Sequence, residues 1–103
     1  MLRTDHQRRS KLQEKRAAKD YNGSVTPGSG NQWHSKADVH TDKLLVECKT
    51  TTKQSYSLKI ADFVKLYYQA VLENKTPVFE IEFAETGRTL VVLDKEDFLA
   101  GDF

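Results

Sequence analysis

The chemistry-bearing residues of this chain cluster in KADVHTDKLLVECKTT, residues 36–51. Asp38 precedes Glu47 and Lys49, an acid and a base two residues apart. Side chains alternate across a strand, so Leu45, Glu47 and Lys49 share one face while Leu44, Val46 and Cys48 share the other. An apolar row backing an acid-and-lysine row suits metal-dependent cleavage of a phosphodiester. It also describes an ordinary half-exposed strand. A phosphodiester is anionic and its leaving alkoxide is poor, so divalent cations held by carboxylates help by neutralising developing charge and acidifying a bound water. Asp38 and Glu47 are hard oxygen ligands suited to Mg²⁺ or Mn²⁺ rather than zinc. The Cys48 backbone carbonyl offers a further ligand, with the thiol turned to the core. Lys49 would orient the attacking water or stabilise pentavalent charge; the bland alternative is a surface ion pair with Glu47, worth ~0–1 kcal/mol.

A β-hairpin has to bring these residues together, and its turn falls at residues 41–43. A two-residue loop sets Asp38 diagonal to Glu47, and a four-residue loop pairs them directly. A three-residue loop turns Asp38 to the apolar side unless a bulge corrects the register. The site therefore requires an even loop or a bulge. Glu73-Asn74-Lys75 repeats the Glu-x-Lys pattern at a helix end, where residues two apart do not share a face. Glu80 and Glu82 share a face without a lysine and read as a solvated strand edge.

Upstream, Thr4 and Gln7 form a capping-box pattern for a helix to about Lys19. At 100° per residue, Arg8, Lys11, Lys15 and Lys19 line up as a basic stripe. Gln7, Ser10, Glu14, Ala17 and Ala18 fall on the neighbouring face. This is a solvated polar helix, or one whose stripe meets a phosphate backbone while Glu14 points toward the site. Residues 20–35 carry turn chemistry, including Pro27-Gly28-Ser29-Gly30. Bare N–H groups and the Ser29 hydroxyl there suit a phosphate, though such triplets also serve as plain turns. Trp33 and His34 read as core or edge packing, and no second His or Cys stands at zinc-ligand spacing.

Downstream, past Lys53, Ser57 is expected to cap a core helix over 58–74. Its apolar stripe is Ile60, Phe63, Val64, Tyr67 and Val71, widened by Tyr68 and Ala70. Strands follow at 78–83 and 89–93, the second expected inside a sheet or at an interface. Asp94 suggests a cap for a last short helix ending near Gly101. Helices on both sides of the strands in sequence favour an α/β layered domain with a mixed sheet. The 103 residues support one domain spanning 1–103, and dimerisation is a natural way for a chain of this size to bury more surface.

The net charge of +1 conceals an asymmetry: residues 1–59 hold 12 Lys/Arg against 6 Asp/Glu, and residues 60–103 hold 4 against 9. Such a split suggests one surface meeting a polyanion, or simple charge scatter. No apolar run of about 18 residues exists to span a membrane, and the basic N-terminus lacks the apolar segment of a secretory signal. A single cysteine, Cys48, excludes an intramolecular disulfide. The expectation is a soluble protein of the cytoplasm.

GSGN, then KADV, then LLVECKTT resemble the PDDEXK nuclease superfamily, and most closely its archaeal and phage Holliday-junction resolvases. The resemblance covers roughly residues 8–93. It implies a restriction-endonuclease-like layered domain with a central mixed β-sheet, and catalytic or metal-ligand roles for Glu14, Asp38, Glu47 and Lys49. Mg²⁺ or Mn²⁺ would be the cofactor, with no organic cofactor. DNA, most naturally a four-way junction, would be contacted by Ser29 and by the basic residues Arg8, Lys11, Lys15, Lys19 and Lys53. Resolvases of this kind are homodimers that make paired nicks, and the apolar C-terminal strands are candidate interface material. Ala37 stands where the superfamily name has Pro, a tolerated variation that removes one marker; the chain is short for a resolvase, which bears on substrate choice more than on chemistry. The alternatives are a nicking or restriction-type enzyme on linear duplex, or a non-catalytic nucleic-acid-binding domain of the same fold.

Overall fold

The computed structural model describes residues 4–27, 37–101 and 103. Helix α1 (Asp5–Asp20) opens with the expected capping box: Thr4 Oγ1 accepts from Gln7 N–H at 3.1 Å, and Gln7 Oε1 accepts from Thr4 N–H at 2.8 Å. These two bonds satisfy donors that the first helical turn leaves orphaned. The helix closes through Tyr21 and a left-handed Asn22 at φ 57°. A Cβ at Gly23 would lie 2.4 Å from the His40 carbonyl oxygen, so only glycine lets this turn sit against the hairpin. Strand β1 (Ser24–Val25) follows inside what the sequence suggests is an unbroken connection.

Strands β2 (Val39–His40) and β3 (Leu44–Thr51) pair antiparallel, with Val39 opposite Val46 and His40 opposite Leu45. Residues 41–44 separate the last pair, an even count as the site requires. Thr41 Oγ1 fixes this turn by accepting from Lys43 and Leu44 N–H at 3.0 and 2.9 Å. Helix α2 (Ile60–Glu73) then carries the chain to β4 (Thr76–Phe83), which runs parallel to β3. Strand β5 (Arg88–Val92) returns antiparallel, and Asp94 caps α3 (Lys95–Ala100) by accepting from Glu96 N–H. The result is a five-stranded mixed sheet in the order β1-β2-β3-β4-β5, flanked by helices.

Alternation along β3 and β4 splits the core into two layers. Under α2 lie Ala37, Leu45, Phe63, Leu66, Ala70 and Phe79, with the Phe63 and Phe79 rings stacked at 5.8 Å. Under α1 lie Ala17, Val39, Val46 and Val78, with Cys48 and Tyr21 packed against them. Because α1 offers so little apolar surface, polar bonds dock it. Gln13, 1% exposed, donates from Nε2 to Lys49 O at 3.0 Å and to Glu80 O and Oε2, each at 3.2 Å. Tyr21 donates to Glu80 Oε1 at 2.8 Å; Arg16 pairs with Glu82, which also accepts from Thr50 Oγ1 at 2.9 Å.

Four expectations are corrected here. Glu80 and Glu82 are no solvated edge, since β4 is an interior strand and Glu80 is buried beneath α1. Helix α2 starts at Ile60 with Lys59 as its cap residue and no side-chain cap bond, so Ser57 does not cap it. Only Phe63, Leu66 and Ala70 of α2 are buried, while Ile60, Val64, Tyr67, Tyr68 and Val71 of the expected core stripe are exposed. The stripe is wider than the arc of a helix that one sheet can cover. Lastly, of the two places expected for the last strand, inside a sheet or at an interface, the first is excluded: β5 is an edge strand, with Leu90 and Val91 about half exposed. Pro77 is tolerated inside β4 because Thr76 N–H points to β3, bonding Lys43 O. The next amide position therefore faces the β5 side, where pairing begins only at Phe79.

Candidate active site

Asp38 stands immediately before β2, with its backbone held on both sides. Its N–H donates to Val46 O at 3.0 Å and its C=O accepts from Thr26 N–H at 2.8 Å. Its carboxylate then replaces a backbone rung, Oδ2 accepting from Cys48 N–H at 2.9 Å. Glu47 and Lys49 share the face of β3 that alternation assigns them, with Lys49 Nζ 3.3 Å from Glu47 Oε2. Among the described residues β2 pairs with β3 no further than Val46. Past that point Glu14, coming from α1, reaches the same cleft as Glu47. Glu14 is 6% exposed and lies 3.6 Å from Lys11 Nζ.

Glu14, Asp38, Glu47, Cys48 and Lys49 thus line one open cleft of about 650 Å³. His6 and Ser10 of α1, Tyr56, and Asp62, Lys65 and Gln69 of α2 complete its walls. Sequence reasoning missed these last residues. Asp62, Lys65 and Gln69 recur at spacings of three and four beside the buried Leu66, a polar flank that helical periodicity could have revealed.

Crowding of acids sets the electrostatics. Burial, then the neighbouring Asp38, pushes the Glu47 carboxyl up to about 7, with Lys49 opposing. Burial and then Asp38 also raise Glu14, with Lys11 opposing. Burial alone would lower Lys49, but Glu47, Tyr56 and Asp38 outweigh it and hold the ammonium in its charged form. The Cys48 thiol is pushed up by burial and then by Glu80 and Asp38. The residue packs against the α1 layer, as expected of a thiol turned to the core.

Among the described residues, no three His, Cys, Asp or Glu side chains are gathered as a ready-made ion site. The donor chemistry nonetheless fits a hard dication. Glu14 Oε1 is buried without a hydrogen bond, and the mutual repulsion of the acids is the kind of cost a cation relieves. In an extended strand the N–H and C=O of one residue point to the same edge. The Cys48 carbonyl therefore lies on the edge where its N–H meets Asp38.

Among the expected DNA contacts, none of the five described basic residues lines the cleft. Arg8 pairs with Asp5 at 3.0 Å and Lys11 with Glu14, while Lys15, Lys19 and Lys53 are exposed. Helical phase puts Lys11 about 60° from Glu14 and the exposed Arg8, Lys15 and Lys19 roughly 100–140° from it, on the solvent side of α1. Ser29, Trp33 and His34 lie outside the described residues. No helix among the described residues is long and apolar enough to cross a membrane. No family model and no curated protein matches the chain.

Proposed function

We propose that this chain is a Mg²⁺- or Mn²⁺-dependent, structure-selective DNA endonuclease with a restriction-endonuclease-like fold, acting as a homodimeric Holliday-junction resolvase without an organic cofactor. One observation carries the reading: a carboxylate before β2, anchored to the β3 backbone, shares a cleft with the Glu47–Lys49 pair of β3 and with Glu14 of α1. The succession of helix, antiparallel hairpin, crossover helix and parallel strand supports it, as does the basic stripe on α1.

Asp38, Glu47, the Cys48 carbonyl and Glu14 would hold the cation, which when bound supplies charge neutralisation at the phosphate and a more acidic water. Asp38 is fixed by an amide rather than by a mobile side chain, so its carboxylate is pre-positioned. Lys49 is half-buried, stays cationic, and is aimed by its ion pair with Glu47. A preorganised ammonium of this kind stabilises negative charge that develops at the phosphorus or orients the attacking water. Arg8, Lys11, Lys15, Lys19 and Lys53 give the phosphate backbone a sequence-independent track.

The test is cleavage of a four-way junction against a linear duplex of matched sequence, in Mg²⁺ and in chelator. The expected result is metal-dependent, paired nicking of the junction and little cutting of the duplex. Equal cutting of both would favour a nicking or restriction-type enzyme. Binding without any cutting would favour a non-catalytic DNA-binding domain.

A further inference from the structure

Four carboxylates, those of Glu14, Asp38, Glu47 and Asp62, line the cleft against two lysines, Lys49 and Lys65. Lys49 is half-buried and engaged, its Nζ 3.3 Å from Glu47 Oε2. Lys65 is exposed and forms no ion pair among the described residues. The lysines and arginines of α1, and Lys53, lie outside the cleft. Among the described residues, Lys65 is therefore the one uncommitted ammonium in it.

Packing fixes where that side chain starts. Leu66, the next residue, is 5% exposed, and Phe63 stacks on Phe79, which holds α2 against rotation on the sheet. At 100° per residue Lys65 lies about 100° from Leu66, at the outer rim of the flank that carries Asp62 and Gln69. Neither neighbour competes for an anion. Asp62 is itself anionic, and Gln69 donates from Nε2 to Glu73 Oε2 at 2.9 Å.

We infer that Lys65 binds a backbone phosphate of the substrate, next to the one being cut; the inference rests on the nuclease reading. Glu47 and Lys49 alternate onto the face of β3 that carries Leu45, which is the face packed under α2. A strand whose scissile phosphate lies at the acids thus has Lys49 and then α2 beside it. The substrate strand leaves the acids toward α2, and the outward residues of α1 hold phosphates outside the cleft. Because acids outnumber lysines here, a polyanion gains most from an ammonium that no carboxylate neutralises. Lysine meets phosphate as a point charge and reads no base, so Lys65 supplies affinity and register without sequence preference.

Steady-state cleavage of a four-way junction in Mg²⁺ tests it. Lys65→Ala should raise KM about tenfold, the effect of one lost charge-assisted contact, and leave kcat within about twofold. Lys65→Arg should restore KM, because it keeps the charge. Asp62→Asn should lower KM by removing the acid of that flank, and Lys95→Ala on α3 should change neither constant. In the Glu47→Gln background, adding Lys65→Ala should lower the log–log salt slope of DNA binding by ~0.9. A wild type that cuts, with KM unchanged in Lys65→Ala, overturns the inference and leaves the nuclease reading standing. So does a KM rise that Lys65→Arg fails to reverse. A wild type that cuts neither junction nor duplex in Mg²⁺ or Mn²⁺ overturns both.

Discussion

Asp38 Oδ2 accepts the Cys48 amide hydrogen at 2.9 Å, which ties the hairpin acid to the backbone of the strand carrying Glu47 and Lys49. Asparagine at position 38 retains an oxygen acceptor for that amide and removes only the charge. Asp38→Asn should therefore keep the fold while lowering the Glu47 carboxyl from about 7, though burial still holds it above the ordinary carboxylate range. An NMR titration of Glu47 reads this directly. An unmoved Glu47 would mean that Asp38 is not its electrostatic neighbour.

The raised Glu47 also makes stability depend on pH. Its folded value of about 7 exceeds the ordinary 4.5, so the folded state holds more protons than the unfolded one between those limits. Stability should then fall as pH rises through that window, by up to about 3 kcal/mol at ~1.4 kcal/mol per unit, and level off above it. Glu14 acts in the same direction. Urea unfolding at pH 5 and pH 8 measures the fall, and Glu47→Gln should flatten it. At pH 8, Mg²⁺ or Mn²⁺ should restore stability to the wild type by binding only the folded state, and should do so far less in Glu47→Gln.

Gln13 ties α1 to the two central strands. Replacing it with leucine leaves Lys49 O and the Glu80 oxygens short of a donor in a buried place. The expected loss is ~1–3 kcal/mol in urea unfolding, against under about 0.5 kcal/mol for Lys15→Ala on the surface. Equal effects at the two positions would show that α1 docks through Ala17 and its apolar neighbours alone.

What the sequence made legible follows local rules. The Thr4–Gln7 box, the alternation of β3, the even hairpin and the Asp94 cap each depend on residues only a few positions apart, and each is present in the fold. What it concealed depends on partners distant in the chain. Gln13 and Glu80 look solvent-bound because they are polar, yet they are buried because they satisfy one another across 67 residues. The α2 stripe marks which residues are apolar, but which of them the sheet covers is settled only by where the helix lies. The Asp38–Glu47–Lys49 grouping was readable from spacing and parity. The arrival of Glu14 needed the α1 docking, and the His6 and Tyr56 walls of the cleft needed the third dimension.

The basic stripe predicts a salt effect. Each phosphate contact released should lower the log–log salt slope of duplex binding by ~0.9. A Lys15→Ala, Lys19→Ala variant should lose about two slope units, with affinity reduced evenly across sequences. An unchanged slope would remove that face of α1 from the DNA path.

In the proposed function, Asp38 and Glu47 perform metal-dependent cleavage in the shared cleft. This is tested most directly by incubating purified Asp38→Asn and Glu47→Gln with a four-way junction in Mg²⁺ or Mn²⁺, with junction binding measured alongside. Both variants are expected to bind the junction about as well as the wild type and to leave it uncut. Metal-dependent nicking that persists in purified Glu47→Gln would contradict that function.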